Sequence, residues 1–273
     1  MRAARVTGAP DPVVLVAHGS RDPRAADATR ALARAVSAAR PGLRVLPSWL
    51  DHTRPGPAEV LRELAAAGHS RVVLVPLLLT AAYHRRVDIP EAVAAARVTA
   101  PELTVRVTDV LGPGPVPMSR PHRPDLAGTS AVALRAVDRA LLAGLRRRLA
   151  EAEPDGYDGL VLAAAGTRDP AARASVGRVA AALGTALATP TRVSYASAAP
   201  PGAGAAVARL RARGARRVAV AAYFLAPGLF HDAVAASARD AGAVAVAAPL
   251  TDAPELVDLV LRRVAAVQGR APS

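Results

Sequence analysis

The residues Val13 to Pro23, VVLVAHGSRDP, return almost unchanged at Leu160 to Pro170 as LVLAAAGTRDP. Each copy is an apolar run that enters a small-residue turn and then an Asp-Pro pair, which is how a buried strand hands over to a helix. The offset is 147 residues (160 − 13). Farther on, Arg71-Val72-Val73 is answered by Arg217-Val218-Ala219 at 146 (217 − 71), and Val105 to Leu111 resembles Val244 to Leu250. Solenoid repeats recur every ~20–50 residues, so a period this long duplicates a whole domain. A chain of 273 residues is long enough for two domains of ordinary size.

Between the copies the pattern alternates strand and helix. Strands are expected at Val13–Ala17, Leu43–Leu50, Arg71–Leu79 and Leu103–Leu111, with helices at Asp22–Ala39, Ala58–Ala67 and Ile89–Arg97. Pro113 to Thr129 reads as a loop and Ser130 to Ala152 as a long amphipathic helix. The second half then repeats the scheme, with strands at Leu160–Ala164, Arg192–Ala196, Arg217–Leu225 and Val244–Leu250. Its helices are expected at Ala171–Leu183, Ala205–Ala212, from the loop APGLFHD to Arg239, and Glu255–Val267. The fold class is α/β: two similar lobes, each a parallel four-stranded sheet flanked by helices. By this reading residues 1–12 are a flexible lead-in and 13–128 the N-terminal lobe. Residues 129–157 are a connecting helix and linker, and 158–273 a degenerate C-terminal repeat, with a ligand cleft expected between the lobes.

Composition excludes several function classes. There is no cysteine, which removes disulfides, thiolate metal sites and cysteine nucleophiles. No apolar run approaches the roughly 18 residues of a spanning helix, and the basic start lacks a signal-peptide core, so the expected setting is cytoplasmic with no membrane partner. The net charge of +13 is carried by Arg alone, spread along helical segments without aromatic interleaving. That pattern reads as solvated helix faces rather than a nucleic-acid patch, though it suits a polyanionic small molecule.

Three strands of the first half end in groups able to bind a metal or move a proton: His18, Asp51 and His84. Two imidazoles and a carboxylate suit a borderline divalent ion such as Fe2+ or Co2+. Taken singly, each has a structural reading: a hydrogen-bonded histidine, a turn-capping aspartate. The repeat acts as an internal control. Its matching columns hold Ala165, Ala198 and Phe230, or His231 opposite His84 if the register shifts by one, and no acid lies between Asp169 and Asp232. One half therefore keeps the set and the other keeps only the scaffold, which assigns the chemistry to the first half. His52, His69 and His122 read as solvated. Ser20 lacks the G-x-S-x-G setting of a hydrolase nucleophile, and Ala17 stands where a histidine phosphatase has Arg.

At VAHGSRDP, followed by PLLLTAAYHRRVDIP with a second His 66 residues on (84 − 18), the chain resembles the class II tetrapyrrole chelatases, CbiX-like and SirB-like, in their long two-lobed form. The resemblance runs from about Val13 to Val267. It implies insertion of Fe2+ into sirohydrochlorin to form sirohaem, with loss of two pyrrole protons, or of Co2+ in cobalamin synthesis. His18, Asp51 and His84 become the catalytic set, with His18 and His84 as metal ligands. That family more often has Glu where this chain has Asp51. The implied partners are sirohydrochlorin and the divalent metal, which is substrate; no organic cofactor is required. The macrocycle's carboxylates are expected to meet Ser20, Arg21, Arg54, Arg85, Arg86 and His231, Arg by forked hydrogen bonds. A monomer that is a pseudo-dimer by duplication, or a homodimer, fits this form. A non-catalytic tetrapyrrole or metal carrier is the reading from another class.

Overall fold

The computed structural model describes residues 10–80, 88–114, 137–153 and 155–269. In the first half β1 (Val13–Ala17), α1 (Pro23–Ala39), β2 (Val45–Trp49), α2 (Pro57–Ala66), β3 (Arg71–Pro76), α3 (Asp88–Arg97) and β4 (Thr104–Val107) follow one another. The second half has α4 (Arg139–Ala152), β5 (Gly159–Ala164), α5 (Pro170–Leu187), β6 (Thr191–Tyr195), α6 (Ala203–Arg211), β7 (Val218–Tyr223), α7 (Leu229–Asp240), β8 (Ala245–Val246) and α8 (Pro254–Gln268). The strands form two four-stranded sheets in the orders β2-β1-β3-β4 and β6-β5-β7-β8, with every pairing parallel. The duplicated α/β architecture expected from the repeat is the one observed.

Two compact units emerge from the contacts. One runs to Leu111 and takes in the chain from Val257 onward; the other spans Gly112 to Leu256. The last helix, read from sequence as the end of the second lobe, thus joins the first unit from Val257. There the Arg263 Nε donates to Val110 O at 3.0 Å and the Arg106 guanidinium donates to Val267 O at 3.3 Å. Contacts between distant parts of the sequence decided this, and no local pattern announces it.

The central strands β1, β3, β5 and β7 are buried on both faces because they carry apolar residues at nearly every position. In the first unit Val14, Val16, Val72 and Leu74 pack with Val60, Leu61 and Leu64 of α2 and Ile89, Val93 and Ala96 of α3. The second unit repeats this with Val161, Ala163, Val218, Val220 and Ala222 against α6 and α7. The helix starts are also duplicated. Asp22 caps α1 by accepting from Arg24 N at 3.0 Å with Pro23 in the first turn, and Asp169 caps α5 from Ala171 N at 2.8 Å with Pro170. A cap of this kind satisfies one of the free N–H groups of the first turn, and Pro there loses no hydrogen bond. The Arg24 guanidinium beside Asp22 holds its carboxyl below the usual range, which keeps the cap ionised.

Several expected boundaries move. β4 and β8 are shorter than the apolar runs that encode them. The helix expected over 130–152 begins at Arg139 behind the cap Asp138; residues 130–136 lie outside the described residues. APGLFHD is not all loop, since α7 already starts at Leu229 behind Gly228. Among the described residues no helix is long and apolar enough to cross a membrane.

Candidate active site

In the order β2-β1-β3-β4 the chain leaves β1 toward one edge and returns to β3 on its other side. The carboxyl ends of β1 and β3 therefore flank a topological switch point, where open α/β sheets bind ligands. His18 directly follows β1. The β1–β2 ladder, with Ala17 opposite Trp49, continues past the strands: Leu50 N donates to Ala17 O at 3.0 Å and Asp51 N to His18 O at 2.9 Å. Backbone register alone thus brings His18 and Asp51 side by side at one edge, on strands spaced about 4.8 Å apart. Both residues are exposed.

Gly19 makes this approach possible. Its φ is +97°, and a Cβ there would lie 1.8 Å from Asp51 O. Only glycine allows that backbone conformation and contact together. Ser20 belongs to the same turn: its Oγ accepts from Asp22 N at 3.1 Å and so orders the entry to α1. Asp51 Oδ1 accepts from His52 N at 2.8 Å, and Asp51 Oδ2 lies 3.4 Å from His52 Nε2. The buried indole of Trp49, beneath the Arg30 guanidinium at 5.1 Å, anchors the end of β2.

The second unit has the same backbone without these side chains. Gly166 has φ +101°, and a Cβ there would lie 1.9 Å from Ser197 O. Ser197 N donates to Ala165 O at 3.0 Å, and Thr167 Oγ1 accepts from Asp169 N at 3.1 Å as Ser20 does from Asp22. The residue matching Asp51 is therefore Ser197, and Ala198 matches His52. A uniform offset of 147 instead sets Ala198 opposite Asp51. The offset falls from 147 to 146 before β6, because 5 residues separate α1 from β2 (40–44) and only 3 separate α5 from β6 (188–190), while α5 is one residue longer. The absence of an acid opposite Asp51 stands in the corrected register.

The remaining candidates divide. Arg21 is exposed on the turn. Arg54 is also exposed, but its guanidinium pairs with Glu59, whose other oxygen accepts from Gly56 N at 2.9 Å at the start of α2. His84, Arg85 and Arg86 lie outside the described residues. The connection that carries them has no full counterpart: 10 residues lead from Leu78 to Asp88 (88 − 78), but 5 from Phe224 to Leu229 (229 − 224). Neither Phe230 nor His231 is thus a simple partner of His84.

His231, read as a substrate contact, is placed inside the second unit's own packing. Its Nε2 donates to Ala247 O at 3.1 Å, and its ring meets Phe224 edge-on at 6.0 Å. It ties the first turn of α7 to the segment after β8. His52, expected to be solvated, stands against the Asp51 carboxylate. The signal existed: Pro55-Gly56 and Pro201-Gly202 align at 146 (202 − 56), which sets His52 opposite Ala198. Among the described residues no three His, Asp or Glu side chains are grouped so as to hold a metal ion, and His84, the third sequence candidate, lies outside them.

The profile of the CbiX family matches residues 12–116 and 159–267, both halves and well over half of the chain. The chain belongs to the CbiX family. Among solved structures, SirB from Bacillus subtilis with Fe3+ superposes with a TM-score of 0.75 at 18% identity, over 95% of this chain and 96% of that one. The sirohydrochlorin chelatase SirB from Bacillus subtilis subspecies spizizenii, in complex with cobalt, gives 0.72 at 18% identity over 94% of each chain. CbiX, described as the terminal enzyme for biosynthesis of sirohaem in denitrifying bacteria, gives 0.56 at 19% identity, over 94% of this chain and 99% of that one. These likenesses establish that this CbiX-family chain shares their fold. No curated protein matches it.

Proposed function

We propose that this CbiX-family protein is a sirohydrochlorin chelatase that inserts Fe2+ into the macrocycle to form sirohaem, with Co2+ insertion as the alternative. The observation that carries this reading is the backbone pairing that sets His18 and Asp51 side by side at the carboxyl edge of one sheet, while the same backbone in the other sheet carries Ala165 and Ser197. Insertion replaces two pyrrole N–H protons by one divalent ion, so the site must deliver a metal and remove protons. Neutral imidazoles at His18 and His84 supply borderline ligands for the ion, and the Asp51 carboxylate accepts a departing proton. Exposed arginines, Arg21 first, offer forked donors to the macrocycle's carboxylates. Imidazole and carboxylate take iron and cobalt alike, so competition between the ions decides the metal. We assign the reaction to the cytoplasm and to a monomer or homodimer.

The test is direct. The purified protein is given sirohydrochlorin with Fe2+ or Co2+, and the chlorin absorption bands are followed. The expected result is conversion faster than with metal alone, lost in His18→Ala while the macrocycle still binds. No change above the metal-only control removes the chelatase reading. A His18→Ala variant that loses metal affinity, from a wild type that shows no turnover, describes a carrier instead.

A further inference from the structure

β2, the outermost strand of the first sheet on one side, borders a recess of about 210 Å3. Leu46, Trp49, Pro55 and Val60 line it with apolar surface, and Arg30 of α1, Arg54 and Glu63 of α2 bring charge to it. Arg30 and Arg54 each use Nη1 in an ion pair, with Asp27 and with Glu59, and their other guanidinium nitrogens make no hydrogen bond among the described residues. Arg44 Nη2 donates to the largely exposed Glu63 at 3.4 Å. Trp49 is 2% exposed, and its indole Nε1 is a buried donor with no hydrogen-bond partner among the described residues. Buried N–H groups nearly always have an acceptor, so one on a residue that lines a recess calls for an acceptor brought in from outside. The second unit again serves as the control. With α1 and α5 aligned on their caps, Gly177 replaces Arg30 (177 − 30 = 169 − 22). With the following turns aligned on Gly56 and Gly202, Pro200 replaces Arg54 and Arg209 replaces Glu63 (200 − 54 = 202 − 56). The two guanidinia are thus additions to the scaffold of one unit and no requirement of the fold.

We infer that this recess is a binding site for a carboxylate carried on a short apolar stem. The free nitrogens of Arg30 and Arg54 are donors of the geometry that carboxylates accept, and the indole N–H adds a third. The stem covers Leu46, Pro55 and Val60. Inorganic phosphate offers no such stem, and against that apolar wall it loses hydration that nothing replaces. At roughly 30 Å3 per water molecule the recess has room for about seven waters, which suits a group the size of propionate. Such a group comes either from a carboxylate arm of the macrocycle or from a free short-chain acid. The first source rests on the chelatase reading above, and the site itself does not. Its place in the fold gives either source a consequence. Trp49 N donates to Pro55 O at 3.2 Å, so the recess is built on both ends of the turn that presents Asp51. An arm held here sets the ring's position relative to that carboxylate, and a free acid fastens the turn.

Trp49 is the only tryptophan of the chain, so tryptophan fluorescence reports on the recess. The full chain is titrated with sodium propionate, and with sodium chloride and sodium phosphate at matched ionic strength. The expected result is a saturable change with propionate that chloride and phosphate do not produce. Its dissociation constant should rise about 5-fold or more in Arg30→Gln and in Arg54→Gln, both exposed positions at which the fold tolerates the change. The Kd of sirohydrochlorin, followed by its own absorption, is then measured with and without saturating propionate. A raised Kd supports the site with a macrocycle arm as its occupant, and an unchanged one supports it with a free acid. No saturable change in wild type, an equal response to phosphate, or variants that bind propionate as tightly as wild type overturn the site. None of these measurements involves metal insertion, so failure of the chelatase reading is seen separately, in the insertion assay.

Discussion

Replacing Gly19 by alanine strikes the scaffold and the site together, and replacing Gly166 strikes the scaffold alone. A Cβ at position 19 would lie 1.8 Å from Asp51 O, and one at 166 would lie 1.9 Å from Ser197 O. Real Cβ atoms keep about 3.0 Å from such neighbours, so Asp51 must retreat by 1.2 Å (3.0 − 1.8) and Ser197 by 1.1 Å (3.0 − 1.9). The retreating atom is backbone in a parallel ladder, so the strand end has to open. The left-handed φ adds about 1–2 kcal/mol for alanine and the overpacking about 1–3 kcal/mol. The total of ~2–5 kcal/mol lowers Tm by about 4–20 °C in a protein of this size. Thermal unfolding followed by circular dichroism should show similar losses for Gly19→Ala and Gly166→Ala. Activity should separate them. If Asp51 serves the proposed chelatase reaction, a displacement of about 1 Å there should cost on the order of 100-fold in turnover, measured well below the melting temperature. Gly166→Ala should stay within a few-fold of wild type. Equal loss of turnover in both would refute the assignment of the chemistry to the first half, and a Gly19→Ala protein that melts like wild type would refute the tight approach itself.

Two predictions concern pH. Glu255, at the start of α8, accepts from Arg147 of α4 at 2.8 and 3.0 Å, and this pairing holds its carboxyl below the ordinary range. A depressed folded-state value contributes stability above the unfolded carboxylate range and loses it as pH falls through the folded one. Glu255→Gln should therefore lower Tm near neutral pH, with the deficit shrinking in acid; a deficit that persists undiminished at pH 3 would exclude the ion pair as its source. Burial pushes the Tyr223 phenol, at the end of β7, far above its usual value. Above the ordinary tyrosine range the unfolded chain releases this proton and the folded chain keeps it, so stability falls as pH rises. Absorbance at 295 nm should show Tyr223 ionising only with unfolding, and Tyr223→Phe should remove that step; a phenol titrating freely in the folded protein would contradict its burial.

How much of this was legible in the sequence differs from residue to residue. Asp22-Pro23 and Asp169-Pro170 mark their helix starts unaided, because capping is a contact within a few residues. Gly19 and Gly166 stand out as duplicated glycines, but the reason, a carbonyl from the next strand, shows only once β1 and β2 are paired. The strand expected over Arg71 to Leu79 ends at Pro76 in the ladder, since hydropathy records burial and not pairing. His231 looked like a loop residue and is packed against Phe224 and Ala247, because Gly228 begins a helix earlier than the composition of APGLFHD suggests.

His18 was singled out by sequence because its repeat partner is Ala165, and a comparison of residue types needs no coordinates. Asp51 was found the same way, but its true counterpart Ser197, and with it the pairing of His52 to Ala198, required the hydrogen-bonded register. The sequence by itself determined the duplicated α/β architecture, the helix caps and the half that carries the imidazole and carboxylate. These follow from periodicity, capping and side-chain identity, which are local properties. Tertiary structure decided which residues stand together at the sheet edge, that the helix from Val257 joins the first unit, and that His52 faces Asp51. Those depend on strand register and long-range packing, where a slip of one residue changes every partner and leaves the local pattern unaltered.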